Sequence, residues 1–284
     1  MKTIIITGCR GQLGREINKY YADKRGLEFI NTDVDELDIT DVEAVMELCR
    51  ANQPYAIINC AAYTAVDACE TNQDLAFKIN TLGPRNLAIA ADAVGAKLVH
   101  ISTDYVFDGT KETPYMEYDK PNPQSIYGIT KSRAEDMVKH FSHRYFIFRT
   151  AWLYGDGHNF VKTMLKLAET HDEVKVVSDQ FGTPTSALEL VKAIDSILFT
   201  DNYGTYHATC EGSTDWASFA EEIFRLAGKN VKVTRTTTEE YGAPAARPKH
   251  SILENYMLKM VGGYTFADWK DALVRYMEEI GALK

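Results

Sequence analysis

The way the chain begins limits its fold more than any other feature. A short apolar run, Ile4-Ile5-Ile6, leads into Gly8-Cys9-Arg10-Gly11-Gln12-Leu13-Gly14, and an amphipathic stretch follows at once. Glycines at this spacing, between a strand and a helix, let backbone N–H groups approach an anion where the helix N-terminus adds partial positive charge. The spacing is G-x-x-G-x-x-G rather than the commoner G-x-G-x-x-G, so the strand–loop–helix setting carries the reading of a dinucleotide-phosphate loop. Further strands are expected at Leu27–Asn31, Ala56–Cys60, Lys97–Ser102 and Tyr145–Thr150. Helical patterns fall between them at about Gln12–Ala22, Val42–Ala51, Gln73–Val94 and Thr130–Phe141. Apolar runs of this length separated by helices indicate parallel strands buried on both faces, in an open doubly wound α/β sheet.

Beyond Thr150 the rhythm loosens. Helices are expected at Asn159–Glu169, Ser186–Phe199, Asp215–Ala227 and Ala267–Ile280, with strands at Val174–Ser178, Thr205–Ala208 and Val231–Arg235. The expected organisation is a Rossmann-type dinucleotide-binding domain over 1–151 and a smaller α/β substrate-binding domain over 152–284. The segment at about 174–199 is expected to return to the first domain. Trp216, Phe219, Ile223 and Phe224 recur at helical spacing and read as core.

The net charge of −9 over 284 residues argues against nucleic acid as a partner, which needs a basic face to displace counterions. Five scattered cysteines form neither a disulfide framework nor a zinc pattern. The N-terminal apolar run is too short for a secretory signal, and no stretch suffices for a membrane span. A cytoplasmic protein is therefore expected.

Tyr127 and Lys131 stand at i and i+4 of a predicted helix face. A lysine beside a phenol favours the phenolate and lowers its pKa toward the working range. With 16 tyrosines in the chain, about one such pair arises by chance, and Tyr20 and Lys24 match as well. Position separates the two pairs. Ligands of open α/β sheets bind beyond the carboxyl ends of the strands, where Thr103 ends the fourth strand and the Tyr127 helix begins. Thr103 either shares a substrate oxygen with Tyr127 or bonds local backbone. Asp33 and Asp38, after the second strand, are candidates for the adenosine ribose hydroxyls; otherwise they belong to a solvated, helix-capping loop. An acid there favours NADH, whereas Arg10 in the glycine loop matches the 2′-phosphate of NADPH, so both coenzymes stay open.

The glycine loop, Asn59-Cys-Ala-Ala-Tyr-Thr64 and Y-x-x-x-K together resemble the extended short-chain dehydrogenases/reductases. Ser102-Thr-Asp-Tyr-Val-Phe-Asp-Gly109, Phe148-Arg-Thr-Ala-Trp-Leu-Tyr154 and Asp179-Gln-Phe-Gly-Thr-Pro-Thr185 resemble more narrowly the dTDP-4-dehydrorhamnose reductase family. The resemblance implies hydride transfer from NADPH or NADH to C4 of a dTDP-4-keto sugar. It implies Tyr127 as proton donor, Lys131 on the nicotinamide ribose, and Thr103 on the same substrate oxygen. Gly8, Arg10, Gly11, Gln12, Leu13, Gly14, Asp33, Asp38, Ile39, Ala61, Ala62, Tyr63 and Thr64 would serve the coenzyme. Thr103, Asp104, Tyr105 and Trp152 would contact the sugar. Arg247, in Ala-Ala-Arg-Pro-Lys, either meets the substrate diphosphate or is a surface arginine.

Some relatives dimerise through magnesium-binding glutamates. Glu16 matches one such position, but the stretch Ala187–Glu189 and the C-terminus do not line up, so no metal is expected. Monomer and homodimer both remain open. Two rival functions share the scaffold: a coenzyme-binding regulatory subunit and a nucleotide-sugar epimerase or dehydratase. The intact Thr103, Tyr127 and Lys131 weigh against the subunit. Tyr105, where a dehydratase needs a second acid, weighs against the dehydratase.

Overall fold

The computed structural model describes all 284 residues, Met1–Lys284. Its first half runs β1 (Lys2–Thr7), α1 (Gln12–Tyr21), β2 (Leu27–Thr32), α2 (Val42–Asn52), β3 (Ala56–Asn59), α3 (Val66–Thr71), α4 (Gln73–Phe77), α5 (Gly83–Val94), β4 (Lys97–Thr103), α6 (Ile126–Phe141) and β5 (Tyr145–Thr150). The second half runs β6 (Leu153–Tyr154), α7 (Phe160–Leu167), β7 (Glu173–Val177), β8 (Phe181–Gly182), β9 (Thr185–Ser186) and α8 (Ala187–Leu198). It continues with β10 (Gly204–His207), β11 (Thr214–Asp215), α9 (Trp216–Leu226), β12 (Lys232–Thr236), α10 (Thr238–Tyr241), α11 (Tyr256–Met260) and α12 (Trp269–Glu279).

Six strands form one parallel sheet in the order β2-β1-β3-β4-β5-β10. Alternation within each strand feeds two cores. Ile4, Ile6, Ile58, Val99, Phe146 and Phe148 face one side, and Ile5, Ile57, Leu98 and Ile147 face the other. The first side is covered by α1 and α8, and its apolar contacts run on into Phe219, Ile223, Leu273 and Met277 of the second half. The second side is covered by α2, α5 and α6.

Three expectations need correction. The strand near 174–178 does not join the large sheet: β7 pairs in parallel with β12, and β10 supplies the sixth strand. Its pattern explains this, since Glu173 and Lys175 are exposed while Val174 and Val176 are buried, as in a strand with one wet face. From the same segment α8 does pack on α1.

The helix expected over Gln73–Val94 is interrupted by a π turn at Lys78–Leu82. Pro84 has no N–H to continue the ladder, and the widened turn sits one residue before Gly83. The helix expected from Thr130 starts earlier, at Ile126, because Ser125 caps it by accepting from the Gly128 N–H at 3.1 Å.

The central helix α6 is tied to the sheet by a buried ion pair. Arg149 of β5 donates to Glu135 through Nε at 2.8 Å and Nη2 at 2.7 Å, and both side chains are 1% exposed. Ser102 Oγ adds a bond to Glu135 at 2.7 Å. Burial works against the Glu135 charge, but Arg149 outweighs it and holds the carboxyl at about 2. Removing one partner strands the other charge in the core. Arg149→Met is therefore expected to cost about 3–5 kcal/mol in urea unfolding, and Glu135→Leu added to it should recover a large part.

Candidate functional site

Gly8, at the end of β1, has φ +66°, and a Cβ there would lie 2.7 Å from the Ala61 amide nitrogen. Gly14, in the first turn of α1, lies so close that a Cβ would meet Gly8 O at 2.5 Å. Two glycines are thus required for the loop to fold back on itself and on the end of β3. Gly11 precedes α1 with no side-chain cap and no acid in the first turn, and Gly11, Gln12 and Leu13 line a cavity. Gln12 Oε1 is buried there without a partner.

This loop forms one wall of two adjoining cavities. The first, of about 510 Å3, is lined by Gly11, Gln12, Leu13, Ala61, Ala62 and Thr64, and by Thr103, Asp104, Tyr105, Tyr127, Lys131 and Trp152. The second, of about 480 Å3, continues from Gly11, Ala61 and Ala62 to Gly8, Asp33, Asp38 and Ile39. The two form a trough along the carboxyl ends of the strands. Its glycine walls, uncapped amides and orphan amide oxygen suit a dinucleotide in shape and polarity.

Asn59, at the end of β3, organises the floor. Its Oδ1 accepts from Thr7 Oγ1 at 2.7 Å and from Ala61 N at 3.1 Å, while Nδ2 meets His100 Nδ1 at 3.1 Å. Asn80, carried by the π turn, bonds both the N–H and the C=O of Tyr63 at 2.7 and 3.0 Å and reaches Thr130 of α6 at 3.2 Å. Neither asparagine side chain was assigned this role from sequence. A buried Asn before a Pro in a long helical pattern was the available signal.

Gly128 explains how α6 approaches the site. A Cβ on it would collide with the Tyr105 carbonyl, so the tyrosine–lysine helix rests directly on the loop after β4. Tyr105 then packs edge-on against Tyr127, with ring centroids 5.4 Å apart. Lys131 is buried and donates to the Ile101 carbonyl at 2.5 Å. Burial brings its ammonium down to about 8. The expected lowering of the Tyr127 phenol by Lys131 is not what this geometry produces. Burial and the neighbouring Asp104 carboxylate push the phenol up, and only the Thr103 hydroxyl opposes them. Tyr127 is a neutral O–H at physiological pH.

Thr103 bonds local backbone and also lines the cavity. Its Oγ1 accepts from the Tyr105 amide at 3.2 Å and donates to Asp104 Oδ1 at 2.9 Å, while facing the cavity with Tyr127. The far wall is aromatic. Trp152 adopts a left-handed φ of 49°, rare for a bulky residue, and its indole stacks on Trp216 at 3.6 Å and 11°. A Cβ on Gly182 would strike that indole at 2.7 Å. Trp216 therefore belongs to the cavity wall, whereas Phe219, Ile223 and Phe224 are core as expected.

Other expected residues lie outside the trough. Arg10 is exposed and paired with Asp35 at 2.6 Å and with Glu36, and its N–H bonds Asp33. The backbone of Tyr63 is held by Asn80 and its ring does not line the cavity; Gly14 serves packing. Arg247 is bound to Asp67 at 3.0 and 2.8 Å. Tyr20 and Lys24 both bond Asp195 at the C-terminal end of α1. Glu16 is buried, and burial raises its pKa. The carboxylate of Glu189 is taken by Lys192, Arg275 and Tyr264.

A dinucleotide trough ending on a tyrosine, a lysine and a threonine defines a Rossmann-type nicotinamide-dependent oxidoreductase. The family model described as the RmlD substrate binding domain matches residues 1–281. The chain is 40% identical over 277 residues to a dTDP-4-dehydrorhamnose reductase of Streptomyces griseus, covering 95% of this chain and 91% of that one. It is similar to the structure of a dTDP-4-dehydrorhamnose reductase from Clostridium acetobutylicum, with TM-score 0.96 and 54% identity over 98% of this chain and 99% of that one. The Bacillus anthracis dTDP-4-dehydrorhamnose reductase, solved in complex with NADP, gives TM-score 0.96 and 44% identity, covering 98% and 100%. The chain belongs to the dTDP-4-dehydrorhamnose reductase family.

Burial lifts the Asp104 carboxyl to about 6, from 3.8 in the unfolded chain. The folded state then keeps a proton that the unfolded state releases, so stability is lost as pH rises through this window. Asp104→Asn should melt above the parent protein at pH 7.5, with the difference gone by pH 4, in calorimetric scans at both pH values.

Proposed function

We propose that this protein reduces the 4-keto group of dTDP-4-dehydro-β-L-rhamnose to give dTDP-L-rhamnose, with NADPH or NADH as hydride source. The observation that carries the reading is the placement of Thr103, Tyr127 and Lys131 in one cavity with Gly11, Gln12, Ala61 and Ala62. Bound along the trough, the reduced nicotinamide supplies a hydride to the C4 carbonyl carbon of the sugar.

As C4 gains hydride, its oxygen takes on negative charge. Tyr127 starts as a neutral phenol and gives that oxygen its proton. A phenol held above its ordinary pKa is in the form the reductive direction requires. The Thr103 hydroxyl turns from Asp104 to the same oxygen and offers a second donor. The buried Lys131 ammonium, held by the Ile101 carbonyl, lines the same cavity and supplies positive charge for the anionic coenzyme. The stacked Trp152 and Trp216 present a flat apolar wall against which a sugar ring packs, leaving its polar edge toward Thr103 and Tyr127.

The anionic partners enter an acidic molecule through local donors: the α1 N-terminus, Lys131 and the Lys78 side of the second cavity. A regulatory subunit would have no use for a phenol, threonine and lysine converging on a sugar-sized space. A dehydratase would need an acid where Tyr105 stands.

With dTDP-4-dehydrorhamnose and NADPH, the protein is expected to consume the 340-nm absorbance in step with substrate. Tyr127→Phe should lower kcat by about 10²–10⁴-fold while NADPH still quenches tryptophan fluorescence. Coenzyme binding without oxidation in the parent protein would refute the reductase reading.

A further inference from the structure

Beside Asp67 and Gly109, one segment of the second half crosses back to the first. Residues 242–249 have little regular structure. On the far side the segment is anchored where the Phe181 N–H bonds the Lys249 carbonyl at 2.7 Å. Pro248 also presses on Gly109, where a Cβ would lie 2.6 Å from its Cα. On the near side every hydrogen bond that residues 243–248 make to another segment ends on one carboxylate, Asp67. Arg247 Nη1 and Nη2 reach its two oxygens at 3.0 and 2.8 Å, and the Ala245 N–H reaches Oδ1 at 3.2 Å.

A bidentate guanidinium reinforced by a backbone amide is the donor set that a phosphate oxygen pair accepts. The two partners are unequally placed. The Arg247 side chain is 19% exposed and lies within electrostatic range of Tyr105, a cavity-lining residue, whereas Asp67 is 44% exposed and free to swing into water. Asp67 directly follows Val66, which lines the first cavity. A pair with one partner open to water is held less tightly than a fully buried one.

We propose that Asp67 is an internal stand-in for the substrate diphosphate: it occupies the Arg247–Ala245 donor set until a nucleoside diphosphate displaces it, and so sets how tightly that diphosphate is held. This rests on the nucleotide-sugar reading above. In the exchange the guanidinium stays where it is, one carboxylate leaves for water, and a more highly charged anion takes its place. Asp67 is a positioning residue, acting on the ligand only through Arg247.

The test is calorimetric titration of the full chain with dTDP and, separately, with thymidine, which lacks the diphosphate. Asp67→Asn removes the competing charge and its repulsion of the diphosphate, so dTDP should bind about fivefold tighter while thymidine is unchanged. Arg247→Ala should weaken dTDP binding, and in that background Asp67→Asn should have no further effect. Asp67→Ser, measured alongside, should reproduce the gain without the amide. Weaker or unchanged dTDP binding in both Asp67 variants, or an equal gain for thymidine, overturns the exchange. Failure of the parent protein to bind dTDP at all overturns the nucleotide-sugar reading itself, and the exchange with it.

Discussion

The bidentate pair between Arg149 and Glu135 is the interaction on which the rest depends. Arg149 does more than neutralise Glu135. Its Nη1 also reaches the Glu117 carbonyl at 3.3 Å and His207 Nε2 at 3.4 Å, and its guanidinium lies over the Phe107 ring at 5.1 Å. Burial and Arg149 keep the His207 ring neutral, at about 3, so Nε2 can accept while Nδ1 donates to the Glu254 carbonyl at 3.1 Å. One cation thereby connects β5, β10, α6, the loop after β4 and the segment before α11. Tyr127 and Lys131 stand two turns and one turn before Glu135, so their height above the sheet is set by where Glu135 is pinned.

Ionisation in the trough follows the same low-polarity logic. Burial brings Lys131 down, lifts Asp104 and raises Tyr127 together. The outcome is a proton inventory suited to reduction, with a neutral phenol and a partly dehydrated lysine lining one cavity. The cost falls on stability, as is common where a site holds charge away from water. Arg10 lies in a separate, wet corner, already paired with Asp35 and Glu36, and its amide holds Asp33.

What could be read from sequence was what is local. The strand–glycine–helix start depends on residues within one turn of each other, and Tyr127–Lys131 on the period of one helix. Both kinds of information lie in adjacent positions. The doubly wound parallel sheet followed from short apolar runs alternating with helical patterns. The unread parts depend on contacts between distant segments. Gly128 is required by the Tyr105 carbonyl and Asn80 by the backbone of Tyr63, both far off in sequence. Trp216 read as core because its period is that of Phe219 and Ile223, and nothing nearby revealed Trp152 stacked on it. The pairing of β7 with β12 outside the large sheet agrees with its alternating charges, which mark a strand with one wet face.

The apolar core that runs without a break from β1 through α1 and α8 into α9 and α12 has a consequence for motion. Two bodies sharing one core cannot hinge apart without exposing it, so large-scale jaw-like opening is energetically closed to this molecule. Traffic into the trough must instead be carried by short surface segments whose movement uncovers little oil. The same continuity means that heat or denaturant meets a single cooperative unit rather than two. Loss of α9 or α12 would expose apolar side chains of α8 as well, which couples the unfolding of the two halves.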